Sequence, residues 1–329
     1  MRDTRQGKHK IGIFGDTGMV GMELERLLSA HGAAEVAYRR NSKRSEGSLA
    51  ACRLCFLATK DAESMAFARE AAGAGASVID MSGAFRLPAA QFEKWYGMAH
   101  TAADLLGDAV YGMPALFAGQ IAGARLVANP GCYPTSAILP LRPLKDLLGS
   151  EASVVSTSGN SGARREVEHE SNELSYSYGK LHKHVPEMNI YTGFDIDFVP
   201  VVMRSVFRGI NTNIRAELSD GLKAMRPEAA AEALEERISG AYGDDDLVFV
   251  VRDTKERQWG TKDANNTNKL LVKVRVDGGR AYICSMMDNL IKGAAGQALE
   301  NMNLMLGLPR LQGVPGAQGK PGKHGGGSG

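Results

Sequence analysis

Residues 10–21, KIGIFGDTGMVG, limit what this chain can fold into more than any other stretch. A short apolar run ends at Gly15, and Gly18 and Gly21 follow as a helical pattern opens. Glycines between a strand and a helix let the backbone approach a pyrophosphate and let the helix pack close to the strand. The helix start then presents free N–H groups and partial positive charge to an anion. The bland alternative is an ordinary tight strand–helix turn. The position after an apolar strand and inside a strand–helix–strand unit favours a dinucleotide. Downstream the alternation continues, with a helix at 18–32, a strand at 34–40, a strand at 53–59, a helix at 62–75 and a strand at 77–82. That order predicts a parallel, doubly wound sheet with helices on both faces. Further strand-like runs follow a loop holding Trp95 and Tyr96, at 109–114 and 124–130.

After Cys132 the texture changes. A helix is predicted from Thr135 to Leu148, strained by Pro140 and Pro143. Strands rich in β-branched residues follow at 151–157, 196–202, 207–218, 247–251, 268–276 and 280–286, with the hairpin signal DGG at 277–279. The second region therefore reads as α+β with a mostly antiparallel sheet. Residues 288–308 carry the pattern of an amphipathic helix. The Gly/Pro-rich tail, 310–329, has no core-forming pattern and reads as disordered. The length of 329 residues suits two domains.

The end of the second strand selects the cofactor. A site for NAD usually places an acid there, against the ribose 2′-hydroxyl. This chain has YRRNSKR, with Arg39, Arg40, Ser42, Lys43 and Arg44 and no acid before Glu46. Those groups suit a 2′-phosphate, hence NADP(H). A solvated basic loop is the alternative for one or two of them.

Composition excludes other classes. The formal net charge of +2 gives no case for a nucleic-acid partner. No apolar run approaches a membrane span, and the basic start lacks a signal-peptide core, so a cytoplasmic protein is expected. Four cysteines do not make a disulfide scaffold. Cys55 and Cys284 lie in strand-like runs and Cys52 at a strand start. The Cys52/Cys55 spacing is C-x-x-C but lacks the helix start that a redox pair uses, and with no second pair a zinc site is not expected.

Cys132 is different. It lies in NPGCYPTS, residues 129–136, after Pro130-Gly131 and before a predicted helix. A thiol at a helix N-terminus is favoured as thiolate. A thiolate nucleophile needs a proton partner. His9 and His324 read as tail residues, His31 as a surface helix end, and His100 and His169 as polar-segment residues. His182 and His184, in LHKHVPEM, share a face if the segment is extended, with Glu187 placed to orient one ring. A structural pair, or a metal set of His182, His184 and Glu187, is the alternative. A cysteine beside nicotinamide predicts acyl reduction through a thioester, which hydride converts to an aldehyde.

These motifs resemble the N-acetyl-gamma-glutamyl-phosphate reductase family of semialdehyde dehydrogenases, in its shorter form. The resemblance spans residues 10–309 and rests on GDTGMVG, DMSGAFRL, YGMP, NPGCYPTS, SGNSGARR, HKHVPEM, FRGI and DNLIKGAAGQALENMN. It implies a Rossmann-type NADP-binding domain from residues 1–131 and 288–309, and a catalytic and dimerisation domain from 132–287. It implies NADPH-dependent reduction of N-acetyl-L-glutamyl 5-phosphate to the 5-semialdehyde and phosphate, in arginine biosynthesis, by a homo-oligomer. It assigns Cys132 as nucleophile, His182 as general acid–base and Glu187 as its orienter. Gly15, Thr17, Gly18, Val20 and Gly21 fall on the dinucleotide turn, and Ser82, Gly162 and Asn289 on cofactor contacts. Ser161 and His184 fall near the substrate, with Arg86 and Arg208 as candidate anchors for phosphate or carboxylate.

Some positions depart from the family's pattern. Ala115 stands where glutamate is common, Lys60-Asp61 where a small or histidine-containing turn is common, and Arg204 is extra. Two other readings remain at this point. One is the related carrier-linked aminoadipyl-phosphate reductase of lysine biosynthesis. The other is a non-catalytic NADP-binding regulator.

Overall fold

The computed structural model describes residues 7–162, 172–243 and 247–317. The chain opens with β1 (His9–Phe14), α1 (Met19–Ser29), β2 (Ala34–Arg40), β3 (Ser45–Gly47), β4 (Leu54–Leu57), α2 (Asp61–Gly73) and β5 (Ser77–Asp80). Then come α3 (Ala89–Tyr96), β6 (Ala109–Tyr111), α4 (Pro114–Ala122) and β7 (Leu126–Ala128). Their sheet runs β3-β2-β1-β4-β5-β7-β6. Every pairing in it is parallel except that of β2 with β3. The order reverses direction beside β1, so the C-terminal ends of β1 and β4 form the crevice where a doubly wound sheet takes its ligand. Alternation divides the side chains between faces. Ile11, Ile13, Leu54 and Phe56 meet α1 and the C-terminal helix, whereas Cys55, Leu57 and Val78 meet Met65, Ala68 and Ala71 of α2.

The second region contains α5 (Cys132–Leu141), β8 (Leu148–Gly159), β9 (Glu173–Ser175), α6 (Val185–Thr192), β10 (Asp195–Met203), β11 (Ile210–Leu218) and α7 (Asp220–Lys223). It continues with α8 (Pro227–Ala241), β12 (Val248–Val250), β13 (Leu270–Asp277) and β14 (Arg280–Met287). The sheet order is β12-β13-β14-β11-β8-β10-β9. Four of its pairings are antiparallel; β8–β10 and β12–β13 are parallel, so it is more mixed than the strand composition predicts. One face packs on α5, α6 and α8 through residues such as Val154, Ile214 and Ile283. The other face leaves Val155 and Tyr282 well exposed.

The predicted strands return with boundaries moved by a few residues. Several other expectations change. The helix after Cys132 starts at Cys132 itself and ends at Leu141, where Pro140 and Pro143 turn the chain into a short 3-10 segment. His9 opens β1 and is not in a tail. His31 is buried, its Nε2 within reach of Asn303 Oδ1 (3.0 Å) and the Gln312 carbonyl (3.1 Å). His100 is also buried, against the Ala84 carbonyl. Cys52 ends a 3-10 turn just before β4, and its sulfur and that of Cys55 both lie over Gly12.

The final helix is the largest revision. A π-turn (Ile291–Ala295) leads into α9 (Gly296–Met305). Instead of an apolar stripe with a wet face, Gly296 to Asn303 are buried all round. The polar side chains have internal partners. Glu300 accepts from Arg310 and lies 3.3 Å from Lys292, and Asn301 donates to the Gly112 carbonyl and to Asn129 Oδ1. The expected disorder also starts too early. Residues 310–317 pack onto α1 and α9, with Val314 buried and the Pro315 carbonyl accepting from Asn268. Residues 318–329 and His169 lie outside the described residues, as does the end of SGNSGARR.

Asn301→Ala should lower stability by about 2–3 kcal/mol, because two buried oxygens lose their donor. The check is a lower urea midpoint at unchanged slope.

Candidate active site

β7 runs into Asn129-Pro130-Gly131, and α5 begins at Cys132 with Gly131 as its N-cap. The Gly131 amide donates to Glu187 Oε1 (3.0 Å), and the Asn129 carbonyl accepts from Arg86 Nε (2.8 Å). Asn301 holds the Asn129 side chain from the third side. The turn carrying the thiol is thus fixed before any ligand arrives.

On the far side of Cys132 lies the π-turn. A Cβ added to Gly293 would stand 2.7 Å from the Cys132 Cβ. Only glycine lets the two backbones come this close. π-turns inside helices often mark functional positions. Sequence reading placed Gly293 in the C-terminal helix but gave it no role, because the contact joins positions far apart in the chain.

The helix start does not lower the thiol as expected. Burial pushes Cys132 up to about 11, outweighing the Tyr133 amide and the charge of Arg86, which pull the other way. The ligand-free site therefore holds a protonated thiol at neutral pH.

His182 and His184 do meet, with ring centroids 4.7 Å apart, although the segment is not extended. His184 is the N-cap of α6, and its amide donates to His182 Nδ1 (3.1 Å). Burial, then the charge of Lys183, lowers His182 to about 4. His184 is lowered well below its ordinary value by burial first and then by His182, Arg86 and Lys183. Both rings are neutral at pH 7 and able to accept a proton. His184 Nδ1 is buried without a hydrogen-bond partner.

Glu187 does not orient a ring among these contacts. From the first turn of α6 its carboxylate takes the Gly131 amide, Tyr111 Oη (2.7 Å) and Arg86 Nη1 (3.4 Å) as partners, and neither histidine is among them. It positions the cysteine turn. For the same reason His182, His184 and Glu187 do not converge as a metal set. Tyr111 is the partner that sequence reading missed.

A cavity of about 710 Å³ collects much of the predicted site. Cys132, His182, His184, Ser82, Arg86, Ser161, Gly162, Asn289 and Val20 all line it. Asn289 Nδ2 donates to Ser161 Oγ (2.9 Å) and Asn289 Oδ1 accepts from Gly209 N–H, which fixes that wall. Ser82 Oγ donates to the fully buried Asp80 (2.9 Å), whose carboxyl burial pushes upward. Arg208 does not join the cavity wall. It pairs with Glu23 (2.9 Å) and Asp288 (3.1 Å) and ties α1 to the start of the π-turn.

The dinucleotide turn has the form that its glycines predict. Gly15 has φ +87°, and a Cβ on Gly15 or Gly21 would strike neighbouring backbone at 2.3 and 2.1 Å. Gly18 differs: a Cβ there would meet its nearest neighbour at 3.5 Å, an ordinary contact distance, so the protein's own packing does not demand glycine at that position. Gly18 caps α1, whose first turn has no side-chain cap and no acid. Those free amides, beside a glycine that the protein's own packing does not require, fit a pyrophosphate. Thr17 lies exposed in the same turn.

The basic loop is less free than the sequence implies. Arg39 pairs with Glu25, Arg40 with Glu70 and Arg44 with Asp16. Ser42 and Lys43 are exposed. The acid absent from the end of β2 is supplied by Asp16, from the first turn, which Asn41 and Arg44 hold. The Arg39 and Arg40 pairs are about a third exposed, and pairs near the surface contribute about 0–1 kcal/mol, so a phosphate can displace them; Arg44 is tied to a buried Asp16.

Residues 45–124 match the family described as semialdehyde dehydrogenase, NAD binding domain, and residues 132–289 match semialdehyde dehydrogenase, dimerisation domain. The chain is 36% identical to the N-acetyl-gamma-glutamyl-phosphate reductase of Thermus thermophilus, over 91% of this chain and 96% of that one. It is 33% identical to the protein of that name from Bordetella pertussis, over 95% and 98%. Among solved structures, aspartate semialdehyde dehydrogenase II from Vibrio cholerae superimposes with a TM-score of 0.69 at 18% identity, over 91% of this chain and 98% of that one. The Candida albicans aspartate semialdehyde dehydrogenase, solved with NADP, gives 0.64 at 16% identity, over 91% and 99%. At those identities the structures establish a common fold.

With the thiol near 11, alkylation of the ligand-free protein at Cys132 should accelerate about tenfold per pH unit between pH 7 and 10. Iodoacetamide labelling followed by peptide mass spectrometry reads this; a plateau above pH 7 would contradict the burial argument. Gly293→Ala should cut labelling of Cys132 sharply and leave dinucleotide binding intact, as measured by fluorescence titration.

Proposed function

The chain belongs to the N-acetyl-gamma-glutamyl-phosphate reductase family of semialdehyde dehydrogenases, and on that premise we propose the following course for its reaction. The protein reduces N-acetyl-L-glutamyl 5-phosphate to N-acetyl-L-glutamate 5-semialdehyde and phosphate, with NADPH. One observation carries this reading: a cysteine at a helix start and two neutral histidines line one cleft, and Val20, from the first turn of the helix that the glycine turn opens, lines the same cleft.

Cys132 attacks the acyl carbon. The C–S bond forms, the C–O bond to phosphate breaks, and phosphate departs with its electron pair. The neutral ring of His182 takes the thiol proton in this step. Gly15, Gly18, Gly21 and the Arg39–Arg44 loop would hold NADPH, which would supply the hydride needed to reduce the thioester. His182 protonates the resulting alkoxide and recovers the proton as the C–S bond breaks and the aldehyde leaves. A thiol near 11 and a ring near 4 in one cavity oppose proton transfer from one to the other. Substrate and cofactor must shift that balance, which keeps the thiol protected between turnovers. Glu187, Tyr111 and Arg86 hold the Gly131–Cys132 turn. Ser82, Ser161, Gly162 and Asn289 shape the wall toward nicotinamide, and His184 faces the substrate.

Residues 1–131 with 288–309 would act as the cofactor domain and 132–287 as the catalytic domain. We assign the chain to arginine biosynthesis in the cytoplasm, and no helix among the described residues is long and apolar enough to cross a membrane. The exposed outer face of the second sheet, with Val155 and Tyr282, is the surface through which two copies would join.

The test is oxidation of N-acetylglutamate 5-semialdehyde by NADP+ in the presence of inorganic phosphate. Turnover dependent on both is expected. Cys132→Ser should leave only a residual rate, and His182→Asn should slow turnover roughly 10²–10⁴-fold with little change in cofactor affinity. Preference for a carrier-linked aminoadipate semialdehyde would move the substrate to the lysine pathway.

A further inference from the structure

The substrate of that reaction carries a doubly charged phosphoryl group beside the carbon that Cys132 attacks, and the cleft must counter that charge. Arg208, one of two arginines that the sequence offers for the task, lies off the cavity wall against Glu23 and Asp288. The other, Arg86, directs Nε to the Asn129 carbonyl, Nη2 to the Met81 carbonyl (3.1 Å) and Nη1 to Glu187. It braces the loop and is turned toward protein oxygens. His182 and His184 are neutral. Among the described residues that line the cavity, Lys183 is the other cationic side chain.

Lys183 stands between the two histidines in sequence and has about a third of its side chain exposed. Its Nζ is 3.5 Å from Asp61 Oδ2, longer than the 2.7–2.9 Å typical of a charge-assisted bond. The other oxygen of Asp61 is already engaged by the Gly83 amide (2.7 Å). The ammonium also lies 4.7 Å from the centroid of the Tyr96 ring, at the mouth of the Ser82–Gly83 loop. The four-carbon stem of a lysine lets such a compact charge reach toward an anion in the cavity that it lines.

We propose that Lys183 is the phosphoryl anchor of the cleft, moving from Asp61 to the phosphate oxygens of the acyl phosphate or, in reverse, of inorganic phosphate. This rests on the reductase reading above. The same chemistry would also suit the pyrophosphate of the dinucleotide, and the measurement separates the two. In the phosphate-dependent oxidation assay, KM is determined separately for inorganic phosphate, semialdehyde and NADP+ in the wild type, Lys183→Met and Lys183→Arg. Lys183→Met should raise KM for phosphate by about 10–100-fold, the value of one charge-assisted bond. The other two constants should stay within about threefold, and Lys183→Arg should recover most of the loss. NADP+ binding by fluorescence titration reports that each variant is folded. An unchanged phosphate KM in an active variant overturns the anchor alone. A rise confined to NADP+ overturns it in favour of the cofactor. Absence of wild-type turnover removes the reductase reading and the anchor together.

Discussion

The buried carboxylate of Glu187 is the contact on which the arrangement depends. One oxygen accepts from the Gly131 amide and the Tyr111 hydroxyl, and the other faces Arg86. Gly131 and Cys132 open α5, Tyr111 ends β6 of the first sheet, and Glu187 belongs to α6 beneath the second. An ion placed here is costly unless every oxygen is satisfied, and removal of one partner would leave an unmatched buried charge. The network therefore favours one geometry of the cysteine turn over near neighbours. Rigidity at that point is what a nucleophile requires, because attack depends on distance and angle.

The second determinant is the return of the chain's end into its beginning. α9 and its π-turn lie between the first sheet and α5, with Ile291, Leu299 and Met302 in the core that Ile11 and Phe56 help to form. Polar residues on such a helix survive burial because each has a specific partner. The same helix carries Gly293 to the nucleophile, and Asp288 just before it accepts the amides of Leu290 and Ile291. Arg208 links that start to Glu23 on α1. The helix that would receive cofactor phosphate and the turn that faces the thiol are thus joined by one guanidinium.

Electrostatics in the cleft work through desolvation. A helix N-terminus favours a thiolate, but the effect is modest and burial exceeds it at Cys132. The histidines are held neutral by the same burial. A site assembled from neutral groups in a low-dielectric pocket gains most from a charged substrate, since charge introduced there is weakly screened.

The sequence by itself determined the two kinds of sheet, the glycine turn, the thiol at a helix start and the histidine pair. Each is written in local pattern: apolar alternation, glycine spacing, proline position. Tertiary structure decided what no local pattern encodes. It brought Gly293 onto Cys132 across the length of the chain, and it turned Glu187 from the histidines to the cysteine turn. It buried a helix whose polar residues imply a wet face, and it packed residues 310–317 whose composition implies disorder. It set Asp16 beside a loop that by itself reads as purely basic, and it made burial outweigh the helix dipole at the nucleophile. The physical reason is common to all of these. Desolvation and pairing depend on which groups surround an atom, and those neighbours come from distant positions that only the closed fold assembles.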